Sequence, residues 1–515
     1  MKRLLGITLA AMLLATPAFA GGSSESAPAS ASMNAAMVKD SVNFVVAGSP
    51  YRFFHLTEKG CGGDDNIVLA NVYDNLLCLE NDGSLTNSLA ESYDLSEDGT
   101  VYTFHLRKGV KFSNGMDMTA DDVKWSLDKG SQGPLGGALL INYKECNIID
   151  PYTVQVVLTA PYAAFPYCVA SRVGGIACKA YWEQVSDDGY MASPIGTGPY
   201  KLTAYAANDY ITLTANEYHW RGVPAIKTVN IKLVADQNTM ILGLQNGDYD
   251  VMGNPSIDMV SRFEKDPAIN TDVANSTGRI TLYLNAWSTG KVTTGLNFRK
   301  AVQSAIDKEE VSIAVTNGTA QLLDVDLCPM YSGYPKSGLH VVKYDPEQAK
   351  KYLAQSSYNG EPYNILVQAG TTLETAAKVV QAQLMKVGIN AVVQAVDNIT
   401  LRAHDTARDY DAYLCDNLSS LPDADAIAGM FKPTRFPKAV WYPRTEEIYA
   451  LSQKGCAAPE GQRDPYYVEI CNITTDDAYM VPIYNGITSI AYNAKLAGVG
   501  AHCLNYYLFR YWHWN

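Results

Sequence analysis

Along residues 99–128, GTVYTFHLRKGVKFSNGMDMTADDVKWSLD, apolar and polar positions first alternate and then switch to a helical spacing. Tyr102, Phe104 and Leu106 share one face of a predicted strand, and Val101, Thr103 and His105 the other. A polar turn follows, and the stretch ends as an amphipathic helix. It holds no constellation of nucleophile, acid or metal ligand. A second pattern lies at 363–396. YNILVQAG reads as a strand, then Leu373, Ala376, Val380, Leu384 and Val387 recur at helical spacing, then INAVVQAV reads as a strand. Thr372 is the expected N-cap and Gly388 the expected stop. Strand, helix and strand in this order predict a parallel unit. One helix is predicted over 297–311, with Phe298, Ala301, Val302, Ala305 and Ile306 on one face. Strands are predicted within 209–220 and 226–234. The class is α/β with mixed sheets.

The first twenty residues follow a different rule. Lys2 and Arg3 precede an apolar run from Leu4 to Ala15, and Ala18-Phe19-Ala20 closes it. That is the pattern of a secretory signal peptide cleaved after Ala20. The run is shorter than the roughly 20 residues a spanning helix needs. Gly21 stands where a bacterial lipoprotein has its cysteine, so no lipid anchor is expected. Residues 21–39 are small, polar and low in complexity, the composition of a flexible leader.

At 515 residues the chain is too long for one ordinary core. Its formal charge of -13 becomes -15 without Lys2 and Arg3, and speaks against nucleic acid or anionic lipid as a partner. Ten cysteines in an exported chain permit disulfides, Cys61 with Cys78, Cys168 with Cys178 and Cys456 with Cys471 being closest in sequence. Buried free thiols are the other reading, and spacing does not choose between them. There is no Cys-x-x-Cys, no metal-spaced histidine pair, no Gly-x-Ser-x-Gly and no phosphate-binding glycine loop. Ser126-Leu127-Asp128-Lys129 matches Ser-x-x-Lys but lacks the companion motifs, and reads as a helix end. No cofactor is expected. Tyrosine stands at 34 against 12 phenylalanines, a bias that favours ligand-facing surfaces over catalysis.

Several long blocks occur in a fixed order. They are LAESYDLSEDGTVYTFHLRKGVKFSNG with MTADDVKWSLD, PIGTGPYKLTAY, LTANEYHWRGVPAIKTVNIKLVADQNTMILGLQNGDYDVM, LYLNAWSTGKVTTGLNFRKAVQSAIDKEEV and DDAYMVPIYNGITSIAYN. Together they resemble solute-binding family 5, the extracytoplasmic binding proteins of ABC transporters for peptides and nickel. The resemblance implies a periplasmic binding protein fold of two lobes with a hinge between them. The first lobe would hold 40–282 with an inserted subdomain near 64–180, the second 283–484, and 485–515 would return to the first. On that expectation the segment at 99–128 serves shape, by enlarging the cleft.

The resemblance also implies a function. The protein would be an extracytoplasmic, periplasmic binding component, not an enzyme, that closes on a solute and docks on membrane permease subunits of an ABC importer. A monomer is expected. Family peptide binders hold the ligand amino group with an aspartate three residues after a tryptophan. AYLCDNLSSLPDAD puts Tyr413 and Asp416 at those two positions, with Asp423 and Asp425 as nearby alternatives. Dipeptide binders carry an arginine after the strand that matches NILVQAG, where this chain has Gln368 and Thr371. An oligopeptide or another cationic solute is therefore left open. Position alone adds Tyr51, Arg52, Trp287 and Asn485 as ligand-binding candidates. The competing readings are a binder of a nickel chelate, an opine or a sugar on the same fold, and a secreted hydrolase.

Overall fold

The computed structural model describes residues 39–48, 50, 52–56, 63–288, 291–435 and 437–515. The predicted signal peptide, residues 21–38 of the leader, Tyr51 and Cys61 lie outside the described residues. Ten strands among the described residues make one mixed sheet. Its order is 391–396, 363–368, 412–416, 269–284, 480–493, 251–253, 41–46, 228–233, 210–215 and 200–206.

Two long strands hold this sheet together. Ile269–Leu284 and Met480–Asn493 run antiparallel for most of their length. On one side the return strand pairs with Val251–Gly253, beyond which Ser41–Val46 lies parallel to both 251–253 and Thr228–Leu233. On the other side Ala412–Asp416 runs antiparallel to 280–284 and parallel to Tyr363–Gln368. The pairing changes register between Asn275 and Arg279, where Ser276, Thr277 and Gly278 bulge out of the ladder. A bulge bends and twists its strand locally, and this one falls where the two halves of the sheet meet.

The alternation at 101–106 forms the strand Val101–Leu106, with Tyr102, Phe104 and Leu106 buried. It sits inside a separate four-stranded antiparallel sheet, ordered 90–95, 101–106, 153–158 and 143–150. The helix Ala120–Gln132 follows, and the Asp122 carboxylate accepts the Thr119 backbone N–H at 3.0 Å, which fixes where the helix begins. This insertion has its own apolar core of Phe104, Val123, Leu127, Val154 and Phe165. The first half of the large sheet is packed around Phe44, Tyr200, Leu213, Phe509 and Trp512. Two further clusters cover the second half, one around Phe298, Ile365 and Leu384, the other rich in tyrosine.

The parallel unit at 363–396 is present, with Tyr363–Gln368 paired in parallel with Ala391–Val396 across the helix Thr372–Lys386. Its cap is one residue earlier than expected. Thr371 is the extended residue, with φ -112 and ψ 166, and Thr372 already belongs to the helix. Gly388 does take the left-handed conformation, with φ +99. The single helix expected at 297–311 is two. Leu296–Ala305 stops at the extended Ile306, and Asp307 restarts the chain as Lys308–Thr316 by accepting the N–H groups of Glu309 and Glu310 at 3.1 and 3.2 Å. An aspartate inside a helical run competes for its own backbone and favours a new start. The nine described cysteines are free thiols. No helix among the described residues is long and apolar enough to cross a membrane.

Candidate ligand-binding site

The bulge at 276–278 is built on close approach. Gly278 faces the Asp416 carboxylate, and a Cβ there would collide with it. Across the ladder, a Cβ on Gly486 would lie 2.6 Å from Ser276 Oγ. Asn485, buried at 1 % exposure, straps the bulge from the return strand. Its Nδ2 donates to the carbonyls of Ser276 at 2.6 Å, Gly278 at 3.0 Å and Gly486 at 3.2 Å. Its side chain is thus engaged with backbone, and its Oδ1 is buried without a hydrogen-bond partner among the described residues.

Asp416 ends the strand Ala412–Asp416, paired in register with Ile280. The strand carries apolar residues up to Leu414 and turns polar as it leaves the sheet, which brings the carboxylate to the rim. Among the described residues its side chain makes no hydrogen bond or ion pair, and it keeps open surface. Protein nevertheless crowds it on the side of Gly278. That desolvation raises the carboxyl above its ordinary 3.8, against the opposite pull of Arg279.

Arg279 itself was not apparent as a site residue in the sequence, although it is the lone charge in the otherwise apolar GRITLYL. It is 1 % exposed. Nη1 donates to Tyr331 Oη at 3.0 Å, and Nε lies 3.4 Å from Asp326 Oδ1. Both oxygens of Asp326 already accept hydroxyls, from Thr281 at 2.6 Å and Tyr283 at 2.9 Å. Residues 279, 281 and 283 alternate onto one face of the crossing strand, and all three meet Asp326 there.

The other candidates fall into separate groups. Tyr413 and Trp287 share an aromatic cluster, each with its ring 5.4 Å from that of Tyr410. Trp287 is 8 % exposed, and its Nε1 donates to the Arg408 carbonyl at 3.2 Å. Arg408 lies over the Trp287 ring at 5.0 Å. Arg52 lies in the first half, where its backbone N–H donates to Asp65 Oδ1 at 3.0 Å. So Asp416 and Asn485 meet at Gly278, Tyr413 and Trp287 meet in the second half, and Arg52 stands apart from both. Asp423, an alternative anchor, is held in a fork by Arg463 at 2.6 Å to each oxygen, with both residues buried.

Beside Arg279 is a cavity of about 220 Å³. The insertion supplies Leu139 and Tyr162 to its wall, and the second half supplies Asn417, Asp425, Lys432 and Arg435. Asp416 is the residue just before this wall. Asp425 accepts the Ser452 hydroxyl at 2.5 Å. The insertion and the second half also touch directly. Ala163 N–H donates to the Cys456 carbonyl at 2.8 Å, and Leu421 and Cys456 belong to the insertion's core cluster. On the crossing strand, Thr277 Oγ1 donates to the Ser419 carbonyl at 2.6 Å. The result is a partly open cavity of mixed polar and apolar lining, shared by the insertion and the second half. Among the described residues no group of three His, Cys, Asp or Glu is placed to hold a metal ion.

Comparison with known proteins agrees with this geometry. Residues 84–436 match the family described as bacterial extracellular solute-binding proteins, family 5, middle region. Over 340 residues the chain is 30 % identical to the glutathione-binding protein GsiB of Escherichia coli K12, a match that spans 64 % of this chain and 65 % of that one. Among solved structures, the ABC transporter substrate-binding protein CtaP of Listeria monocytogenes superposes with a TM-score of 0.83 at 22 % identity, over 93 % of this chain and 99 % of that one. The periplasmic binding protein DppA of Helicobacter pylori, solved with the peptide STSA, gives a TM-score of 0.74 at 22 % identity, over 93 % and 98 %. These likenesses establish the two-lobed fold.

Proposed function

Because the chain belongs to the bacterial extracellular solute-binding proteins, family 5, we propose that it is the substrate-binding component of an ABC importer. On this reading it works outside the cytoplasm as a binding protein without catalytic activity. It captures a peptide or peptide-like solute between its lobes and delivers it to a membrane permease. The observation that carries the reading is the cavity lined jointly by the insertion and the second half, beside Arg279 on the crossing strand. The peptide-like ligands of GsiB and DppA support the solute class.

The lobes hinge at the bulge 276–278 and at Gly486 opposite it, the residues that have no partner in the ladder between Asn275–Ile487 and Arg279–Asn485. The open form samples closure, and a ligand that bridges the lobes stabilises the closed form by its differential affinity. Asp416 takes the ligand's positively charged group. It has no partner among the described residues, and closing the cleft around it strengthens a charge-assisted bond.

Native mass spectrometry of the purified protein tests this. The expected result is a co-purifying peptide or peptide-like solute that is returned intact. Small-angle scattering should then show a smaller radius of gyration with that solute than without it. Cleavage of added peptides, or an unchanged radius at saturating solute, would overturn the reading.

A further inference from the structure

Tyr162 lines a second, larger cavity of about 600 Å³ as well as the one beside Arg279. The insertion brings four tyrosines to it, Tyr93, Tyr102, Tyr162 and Tyr167, and the second half brings residues 457–460 and Arg463. Tyr93 and Leu95 in its lining are 38 % and 48 % exposed. A concavity of this size with apolar side chains open to water has the build of a ligand site. Its charges are one-sided. Glu97, Asp98 and Glu460 line it, while its one basic residue, Arg463, is already held by both oxygens of Asp423 at 2.6 Å. Glu97 and Glu460 make no hydrogen bond or ion pair among the described residues. Glu460 also acts across the gap. Burial and then the Glu460 charge raise the Tyr93 phenol, and burial with Asp423 and Glu460 pushes Tyr167 up to about 12. An acid of the second half thus lies within electrostatic reach of neutral tyrosine rings on the insertion.

We propose that this cavity is a second ligand site, for an organic cation with an apolar body, held jointly by the insertion and the second half. A tyrosine face attracts a cation through its ring quadrupole, and the three carboxylates add Coulomb attraction. The apolar body covers Leu95, Pro161 and Pro459. An anion would meet the same carboxylates and a guanidinium that is already neutralised. The site is separate from the captured solute, whatever that solute is, because Asp416 and Arg279 are not in its lining. The two cavities are nevertheless linked. Arg463 lines this one and Asp423 the other, and the pair joins them. A cation that touches both halves favours the arrangement in which they meet, the one that also shapes the cavity beside Arg279. Cation binding and solute capture then reinforce each other by the same factor.

The test uses benzyltrimethylammonium and, as its neutral counterpart, benzyl alcohol. Binding to the full mature chain without other solute is read by calorimetry and by saturation-transfer NMR. The cation should bind about tenfold more tightly than the alcohol. Glu460→Gln on the second half should lower cation affinity about three- to tenfold and leave the alcohol unchanged. Tyr93→Leu on the insertion keeps an apolar surface and removes the ring, and should lower cation affinity about two- to fivefold, the range of an exposed cation–π contact. Both side chains are exposed, so melting temperatures should hold. The Ala163 N–H, which donates to the Cys456 carbonyl between the two halves, should exchange more slowly with the cation bound. Equal binding of the two probes, binding of neither, or a preference that survives both substitutions overturns the proposal. An effect of one substitution alone, or unchanged exchange at Ala163, overturns the joint hold. None of these outcomes bears on whether the solute is a peptide.

Discussion

Replacing Asp416 by asparagine separates a ligand anchor from a structural carboxylate, because the two roles predict opposite signs. Structural aspartates in this protein are visibly bonded. Asp307 accepts two backbone N–H groups, and Asp345 accepts the Gln348 N–H at 2.8 Å. Asp416 accepts none among the described residues. Its carboxyl is raised above 3.8 in the folded state by desolvation, so the folded protein binds the proton more tightly than the unfolded chain does. Stability contributed by such a group falls as pH rises from about 3.8 through the folded-state value. At pH 7 the charge is therefore a net cost to folding, and Asp416→Asn should melt at the same temperature or higher. Below about pH 3.8 the difference between variant and parent should vanish. Affinity should move the other way. Truncating one partner of a shielded charge pair costs about 2–5 kcal/mol. The lower end applies because the side chain keeps open surface, so the loss should be about 2 kcal/mol, or about thirtyfold in Kd. Calorimetry with the co-purified solute, and thermal melts across pH, measure both. An affinity change below about threefold, near 0.7 kcal/mol, combined with a lower melting temperature at pH 7, would refute the assignment.

Three other outcomes are expected. Asp423→Asn leaves the Arg463 guanidinium buried without its counter-charge, and should destabilise the fold by about 3–5 kcal/mol in urea unfolding; a loss under about 1 kcal/mol would show that the pair is not needed. Asn485→Ala removes the strap on the Ser276 and Gly278 carbonyls, at a cost of about 1–3 kcal/mol. It should also enlarge the ligand-free radius of gyration, and unchanged scattering and stability together would exclude a hinge role. Burial pushes the thiols of Cys146, Cys328 and Cys503 up to about 12, so at pH 8 they stay protonated. Peptide mapping should find these three alkylated by iodoacetamide only after denaturation, and labelling of Cys328 in the native protein would contradict its buried environment.

The fold was largely legible because its periodicities are local. The alternation at Tyr102, Phe104 and Leu106, and the helical stripe from Leu373 to Val387, report burial directly. What failed were boundaries set by single side chains. Asp307 cut one predicted helix in two, and Thr371 took the cap expected at Thr372, since either threonine could begin the helix and backbone geometry decided between them. The candidate site was less legible. Trp287 and Asn485 stand at the crossings in sequence, yet one packs under Arg408 and the other straps backbone. Which way a side chain turns depends on partners far along the chain. Arg279 left a faint trace as a charge among apolar neighbours. Lys432 left none, because a lysine after a helical turn looks the same whether it faces solvent or a chamber wall.

The contact between the insertion and the second half has a consequence for how tightly solute is held. Opening the cleft must break the Ala163–Cys456 backbone bond and draw Leu421 and Cys456 out of the insertion's core. Exposing one leucine alone costs about 1.5–3 kcal/mol. The gate therefore resists opening even when the chamber is empty. Contacts that hold it shut raise apparent affinity by sparing the solute the work of closing it, and they slow the solute's entry by the same adhesion. Cys456 lies away from the chamber wall, so its side chain can alter capture and release rates while every solute contact stays the same. Two proteins with identical chambers could then differ tenfold in affinity through about 1.4 kcal/mol at this rim, and selection acting there would adjust how long a solute is kept without changing which solute is chosen.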